Sequence, residues 1–335
     1  MLMGKKWTAV EVLDMVRLFQ PACVLAAAAD LDVFTPLHEK QMTAQVLASR
    51  LCTDLRATTI LLDALVAMEF LTKQGNDYSV PEDVAKLLTE KSADSVLPMV
   101  RHQANCLRRW AALAGVTQTG KPADRIPSTR GEAADQADFI GAMHNFSEPI
   151  AVEVVGKLQS LKFDHLLDIG GASGTWTIAL LSAVPEAKAT LFDFPPVVKM
   201  AERRIAGAGL SDRVSLVSGD FYVDDFPGGA DLAWLGAICH QNSREQNRVL
   251  FTKILKALND DGVVIMRDVV MDPSHTSPKG GALFAVNMLV NTPEGSTYTF
   301  DEYKQDLNET GFAEVTLVNQ DEFMNSLIRA KKVRK

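Results

Sequence analysis

From His165 onward the chain repeats one rhythm. The short apolar runs "HLLDIG", "ATLFDF", "VSLVSGD", "DLAWLGAI" and "GVVIMRDVV" are separated by helical segments. Strand and helix in alternation predict an α/β fold with a parallel sheet covered on both faces. The right-handed crossover rule makes that sheet doubly wound. The end, "EVTLVNQDEFMNSLIRAKK", reads as two strands joined by a short connection that form an antiparallel edge. The closing "KKVRK" reads as a solvated tail.

The 335 residues exceed one ordinary core and predict about two domains. Residues 7 to about 115 read as helical. "FQPACVLAAAADLDVFTPL" is expected to stop near Pro36. "MTAQVLASRL" and "DLRATTILLDALVAMEFL" are expected to start at the N-caps Thr43 and Asp54, and a hairpin turns at Gly75-Asn76. Helix, turn, helix, hairpin is a winged-helix pattern. From Asp54 to Phe70, however, Arg56 is the only base against Asp54, Asp63 and Glu69, which is the wrong sign for a major groove. A packing or dimerisation role is expected instead. A helix ends near Gly115, a Pro/Gly loop follows, and "DQADFIGAMHNFSEPIAVEVVGKL" resumes the helical period. The expected domains are 1–115, a helical connector over 116–158, and 159–335.

A formal net charge of −8 repels phosphate backbones and anionic lipid, so neither nucleic acid nor membrane is an expected partner. Glu11 and Asp14 interrupt any signal-peptide core, and no run of about 18 apolar residues is expected to span a bilayer. Cys23, Cys52, Cys106 and Cys239 form no CxxC pair and read as buried thiols in a reducing compartment, so a cytoplasmic protein is expected. No His/Asp/Glu cluster has metal-ligand spacing, so transfer chemistry without a metal is expected.

"LLDIGGASGTWTIALL" places Gly170, Gly171 and Gly174 at the end of the first strand, where open α/β sheets bind ligands. A dinucleotide loop needs G-x-G-x-x-G, and Ala172 and Thr175 break it. A phosphate loop ending in GK[ST] is also missing. What is left is a nucleoside-type site. Asp193 ends the second strand, placed to accept ribose hydroxyls, and Asp220 ends the third, with Phe221 able to stack on a base. Taken singly, such acids cap helices and such glycines make turns. All three features at consecutive strand ends are harder to dismiss.

With these motifs the chain resembles the class I S-adenosylmethionine-dependent methyltransferases, and more narrowly the O-methyltransferases with an N-terminal winged-helix dimerisation domain, of plant caffeate and bacterial polyketide type. "DIGGASG" is similar to the family's D-x-G-G-G-x-G loop, with Ala172 at its third glycine. "LFDFP" and "SGDF" resemble its ribose and adenine motifs. The resemblance implies a Rossmann-like sheet of seven strands with the last antiparallel, beside a mainly helical winged-helix domain. It also implies S-adenosylmethionine as methyl donor (S-adenosylhomocysteine as product), held by Asp168, Gly170, Gly171, Gly174, Asp193, Phe194, Gly219, Asp220 and Phe221. A homodimer through the N-terminal domain and a small-molecule acceptor follow from it too.

On the acceptor side the family's "HDW" corresponds to His240, Gln241 and Asn242, so the base is kept while its neighbours change. Asp268 in "MRDVVMD" stands where an orienting acid is expected. Thr297 replaces a second family acid, with Glu294 three residues away, and Gly236 and Ala237 replace a basic region before the histidine. Met143, His144 and Asn145, and the helical set Phe284, Asn287 and Met288, are candidate pocket residues, although Met and Phe at this spacing also build cores. Open at this point are O-methylation, S- or N-methylation, a relative that binds the donor without transferring methyl, and a ligand-sensing winged-helix regulator.

Overall fold

The computed structural model describes residues 5–158 and 161–333. The expected boundary at 159, the first four residues and the last two of the basic tail lie outside the described residues. The chain divides into two compact units. One runs to Arg108 and adds Ile126–Asn145. The other comprises Arg109–Arg125 and everything from Phe146. The helix Glu132–Gly156 contributes to both.

In the first unit, Thr43 and Asp54 cap the helices Ala44–Leu51 and Leu55–Ala67 through side-chain oxygens that accept from Val46 N and Ala57 N. Strands Thr72–Gln74 and Asp77–Ser79 form the hairpin, and Met42–Thr43 adds a third strand beside the second. This is the winged-helix arrangement. Tyr78 is buried at its centre, and its hydroxyl donates to Asp63 at 2.7 Å. The core is Phe34, Leu37, Leu47, Leu62, Leu65 and Leu71.

Three sequence expectations change here. The first long helix breaks at Asp32, whose φ is 52°, and Pro36 lies in the first turn of a new helix, Phe34–Glu39, where a missing N–H is harmless. Cys52 is exposed, at a left-handed helix cap, and Cys23 is half-buried, so the four free thiols are not all core. The helical stretch Ala9–Asp30 is long and apolar enough to cross a membrane by length and composition, because Leu18–Ala29 carries no charge. Its Val10, Leu13, Val16, Leu18 and Phe19 are exposed.

The second unit is built on a seven-stranded sheet. Its strands are β1 (His165–Ile169), β2 (Lys188–Asp193), β3 (Val214–Ser218), β4 (Ala230–Gly236), β5 (Leu258–Asp268), β6 (Phe312–Asn319) and β7 (Ser326–Lys332). The order is β6-β7-β5-β4-β1-β2-β3. β1 to β5 run parallel, and β7 is antiparallel to both its neighbours. Helices α1 (Thr175–Ala183), α2 (Pro195–Gly207), α3 (Arg244–Ala257), α4 (Lys279–Asn291) and α5 (Phe300–Glu309) supply the connections. Strands covered on both faces are apolar throughout, which explains runs such as "HLLDI". One face packs Leu166, Leu180, Ile205, Trp234 and Ile265, the other Ile169, Phe192, Phe251, Met266 and Ile328. The chain reverses its direction of travel between β1 and β4, the place where such sheets open a crevice at their carboxyl edge. The helix expected to end near Gly115 is two: Leu97–Trp110 and Leu113–Thr119.

Removing the cap bond at Asp54 should lower stability by about 1 kcal/mol. Urea unfolding of Asp54→Ala, followed by circular dichroism, should show a lower midpoint with an unchanged slope.

Candidate active site

The carboxyl edge of β1, β2 and β3 is where the acids gather. Strand pairing sets Asp168 opposite Leu191 and Trp234, and β2 ends on Asp193. Gly170 N donates to Phe192 O and Gly219 N donates to Asp193 O, so the three strand ends are tied into one ledge. A Cβ on Gly171 would stand 2.5 Å from Leu191 Cγ, and one on Gly219 would stand 2.3 Å from Phe192 Cζ. These glycines are therefore fixed by the packing beneath the loop. Ala172 holds φ 47°, a left-handed conformation that costs a residue with a Cβ about 1 kcal/mol or more.

Asp168 is fully buried and accepts from the Thr177 hydroxyl on α1. Burial pushes its carboxyl up to about 7; the Thr177 hydrogen bond opposes the shift and the charge of Asp193 adds to it. Asp193 accepts from Ala172 N at 2.8 Å on one oxygen and from Phe194 N at 2.7 Å on the other. Burial raises it, against those two bonds. Each oxygen keeps a second acceptor position. Neither carboxylate forms an ion pair among the described residues. Two buried acids without a cation fit a positively charged ligand, and S-adenosylmethionine carries a sulfonium and an ammonium.

Asp220 is half-buried and caps its own turn, accepting from Tyr222 N at 2.8 Å. Phe221 is buried and belongs to the core beneath Gly170. The partly exposed rings are Phe194 and Tyr222, which flank Phe221 at 6.0 and 4.5 Å between centroids. Tyr222 is an aromatic the sequence reading passed over, although it stands directly after "GDF".

Past β4 the chain makes a left-handed turn at Ala237 (φ 60°), and Ala237 N donates to Arg267 O at 2.7 Å. A single 3-10 turn, Cys239–Gln241, then presents His240 to the end of β5. His240 Nδ1 lies 2.8 Å from Asp268 Oδ1, placed to donate to that carboxylate, and His240 N donates to Asp268 Oδ2 at 3.2 Å. Val269 N also donates to Asp268 Oδ1. An Nδ1 proton committed to a carboxylate leaves Nε2 of the neutral ring as a proton acceptor. The His240 ring meets Phe284 edge-on at 4.8 Å, and Phe284 meets Phe323 at 5.5 Å.

Gln241 and Asn242 are held by local hydrogen bonds. Gln241 Nε2 donates back to Ala237 O. Asn242 is buried, accepts from the Tyr222 and Tyr298 hydroxyls and donates to Asn247 Oδ1. Both side chains are thus satisfied locally. Thr297 is buried and Glu294 is exposed. Asn287 accepts from the Trp110 indole at 2.9 Å and from Asn291, while Met288 is buried in α4. Met143, His144 and Asn145 belong to the other compact unit, where Asn145 Nδ2 donates to Ser95 O. No group of three or more His, Cys, Asp or Glu able to hold a metal is found among the described residues.

The seven-stranded sheet with antiparallel β7 and a glycine loop after β1 is the class I methyltransferase architecture. A family model for the O-methyltransferase domain matches residues 116–313, and one for the O-methyltransferase dimerisation domain matches 13–91. The chain is 29% identical to the tetracenomycin polyketide synthesis 8-O-methyl transferase of Streptomyces glaucescens, over 91% of each chain. It is 26% identical to the N,N-dimethyltransferase OxyT of Streptomyces rimosus, over 95% of this chain and 93% of that one. Human N-acetylserotonin methyltransferase, solved in complex with its S-adenosylmethionine donor, superposes with a TM-score of 0.79 at 24% identity, over 99% of this chain and 100% of that one. The chain belongs to the O-methyltransferase family and is an S-adenosylmethionine-dependent methyltransferase.

The loop yields a paired prediction. Gly171→Ala drives a Cβ into Leu191 and should destabilise by about 1–3 kcal/mol. Ala172→Gly relieves the left-handed strain and should stabilise or be neutral, within about 1 kcal/mol. Thermal melts of the two variants should move in opposite directions, or only the first should move.

Proposed function

We propose that this enzyme methylates a hydroxyl of a small aromatic acceptor, with His240 as general base and Asp268 as the group that orients it. The observation that carries this reading is the 2.8 Å bond from His240 Nδ1 to Asp268 Oδ1 at the carboxyl edge of β4 and β5. When bound, S-adenosylmethionine supplies an electrophilic methyl group on a good leaving group. Asp168, the backbone of Gly170, Gly171 and Gly174, Asp193, Phe194, Gly219 and Asp220 hold that donor, over the buried ring of Phe221. Phe194 and Tyr222 offer the exposed aromatic surface for its base.

The residues of this chain then have separate tasks. Phe284 fixes the His240 ring by edge contact and, with Phe323, gives the acceptor an aromatic wall. His240 Nε2 takes the acceptor's hydroxyl proton. Asp268 holds the Nδ1 proton in place and stabilises the imidazolium that forms. A phenol is a much weaker acid than an imidazolium ion, so complete transfer before methylation is uphill and proton loss accompanies methyl transfer. A positioned base is worth about 10² to 10⁴ in rate. A neutral amine has a free lone pair and needs no such base, so the buried pair favours a hydroxyl over the N-methylation for which OxyT is named. Asn287 and Met288 are proposed to shape the rest of the acceptor pocket.

The exposed apolar residues of Ala9–Asp30, together with the dimerisation domain, support a homodimer that covers this stretch. The reading takes the protein as cytoplasmic, with neither nucleic acid nor membrane as partner.

His240→Ala should lower kcat for a hydroxyl acceptor by about 10² to 10⁴ and leave S-adenosylmethionine affinity unchanged in calorimetry. Equal loss of both would assign His240 to structure alone. Donor affinity should also depend on pH. Asp168 without ligand releases its proton only near pH 7, and a cationic ligand favours the ionised form. Affinity should therefore rise as pH increases from 6 to 7 and level off above, approaching about tenfold per unit at the acidic end. Asp168→Asn should bind weakly with that slope removed.

A further inference from the structure

Arg267, on β5 beside Asp268, is a buried arginine with no part in the proton transfer. Its side chain is about 1% exposed. The guanidinium lies over Trp176 of α1 at 4.5 Å and over Phe146 at 5.5 Å. Its hydrogen bonds go to one neutral atom: Nε and Nη2 both donate to Asn325 Oδ1, at 3.0 and 2.7 Å. Nη1 has no hydrogen-bond partner among the described residues. The two nearest acids do not pair with it. Asp268 is held by His240 and Val269, and Asp321 accepts from Phe323 N and Asn325 N. Burial lowers the guanidinium to about 10, with those two acids opposing the shift from a distance.

A buried cation without a buried anion is costly unless something compensates it. A second unmatched donor lies close by. The Trp234 indole N–H is buried without a partner, and it sits 2.7 Å from where a Cβ on Gly236 would stand. Gly236 is the register partner of Arg267 across β4 and β5, and Trp234 stacks on Trp176 at 5.1 Å. A buried unpaired indole N–H and the Arg267 guanidinium therefore lie two residues apart in register on neighbouring strands. From there Phe146, Phe323 and Phe284 run in edge contacts to His240. The planar fork of an arginine matches a carboxylate two bonds at a time.

We infer that Arg267 is a carboxylate-binding subsite of the active site, engaging either the amino-acid carboxylate of the donor or an acid group on the aromatic acceptor. The inference rests on the methyltransferase reading of this edge and names one ligand group that it recognises. Its position at the far end of the aromatic chain from His240 separates an anion-gripping end from a proton-accepting end.

The test is calorimetric titration of the full-length protein, Arg267→Met and Arg267→Lys with two ligand pairs. The first pair is S-adenosylmethionine and its decarboxylated form. The second, on protein saturated with S-adenosylhomocysteine, is 3-hydroxy-2-naphthoate and 2-naphthol. Arg267→Met should weaken the carboxylate-bearing member of one pair tenfold or more and leave its neutral partner unchanged, with partial recovery in Arg267→Lys. Loss in the first pair assigns the donor, and loss in the second assigns an acidic acceptor. Equal weakening within both pairs, or none, overturns the subsite and leaves Arg267 a packing residue. If Arg267→Met does not fold, the wild-type protein decides. A tenfold preference for the carboxylate in one pair that shrinks in Arg267→Lys upholds the inference, and no preference in either pair overturns it. A wild-type protein that binds neither form of the donor strikes at the methyltransferase reading itself.

Discussion

The pairing of β4 with β5 is the constraint on which the rest of the site depends. Register sets Gly236 opposite Arg267, and the ladder is extended by one more bond, from Ala237 N to Arg267 O. The left-handed turn at Ala237 then folds the next three residues back over the end of β5. His240 reaches Asp268 with both its backbone N–H and its ring. A one-residue slip between these strands would move Asp268 to the opposite face and leave a buried carboxylate without its partners. The His240–Asp268 pair is thus set by backbone hydrogen bonds, and the side chains inherit their geometry from it.

The other end of the edge is organised by burial of like charge. Asp168 and Asp193 are held in place by a hydroxyl and two backbone N–H groups, and neither pairs with a cation among the described residues. In the proposed donor site a cationic ligand would offset part of their desolvation cost. The strained backbone of Ala172 sits in the same loop, and its N–H is one of the two bonded to Asp193. Local strain of this kind persists where surrounding contacts over-determine the conformation.

Most of this architecture was legible because it is written in periods and punctuation. Runs such as "ATLFDF" can form only buried strands, and Thr43, Asp54 and Gly75 act through their immediate neighbours. Long-range context was not legible in the same way. Pro36 looks like a stop, yet the break is at Asp32, because a proline in a first turn has no lost bond to signal. Gln241 and Asn242 looked like a changed acceptor site. Their partners, Ala237, Asn247, Tyr222 and Tyr298, lie up to 56 residues away, so the sequence could not show that they are satisfied. Phe221 was read as a stacking surface, but its ring is core and the exposed rings flank it. Arg267 did leave a signal: a charge inside "VVIMRDVV" breaks an apolar strand. Position alone could not tell whether that charge pointed to solvent or lay between two aromatic rings.

The central claim is that Asp268 holds His240 as the tautomer with Nδ1 protonated and Nε2 free to accept a proton. Nitrogen-15 NMR of the histidine side chains, with His240 assigned by substitution and recorded above the pH at which the ring is neutral, reads this directly. The account predicts a protonated Nδ1 and a bare Nε2 in the wild-type protein, with the preference lost in Asp268→Ala. A His240 ring protonated at Nε2, or one indifferent to Asp268, would contradict it.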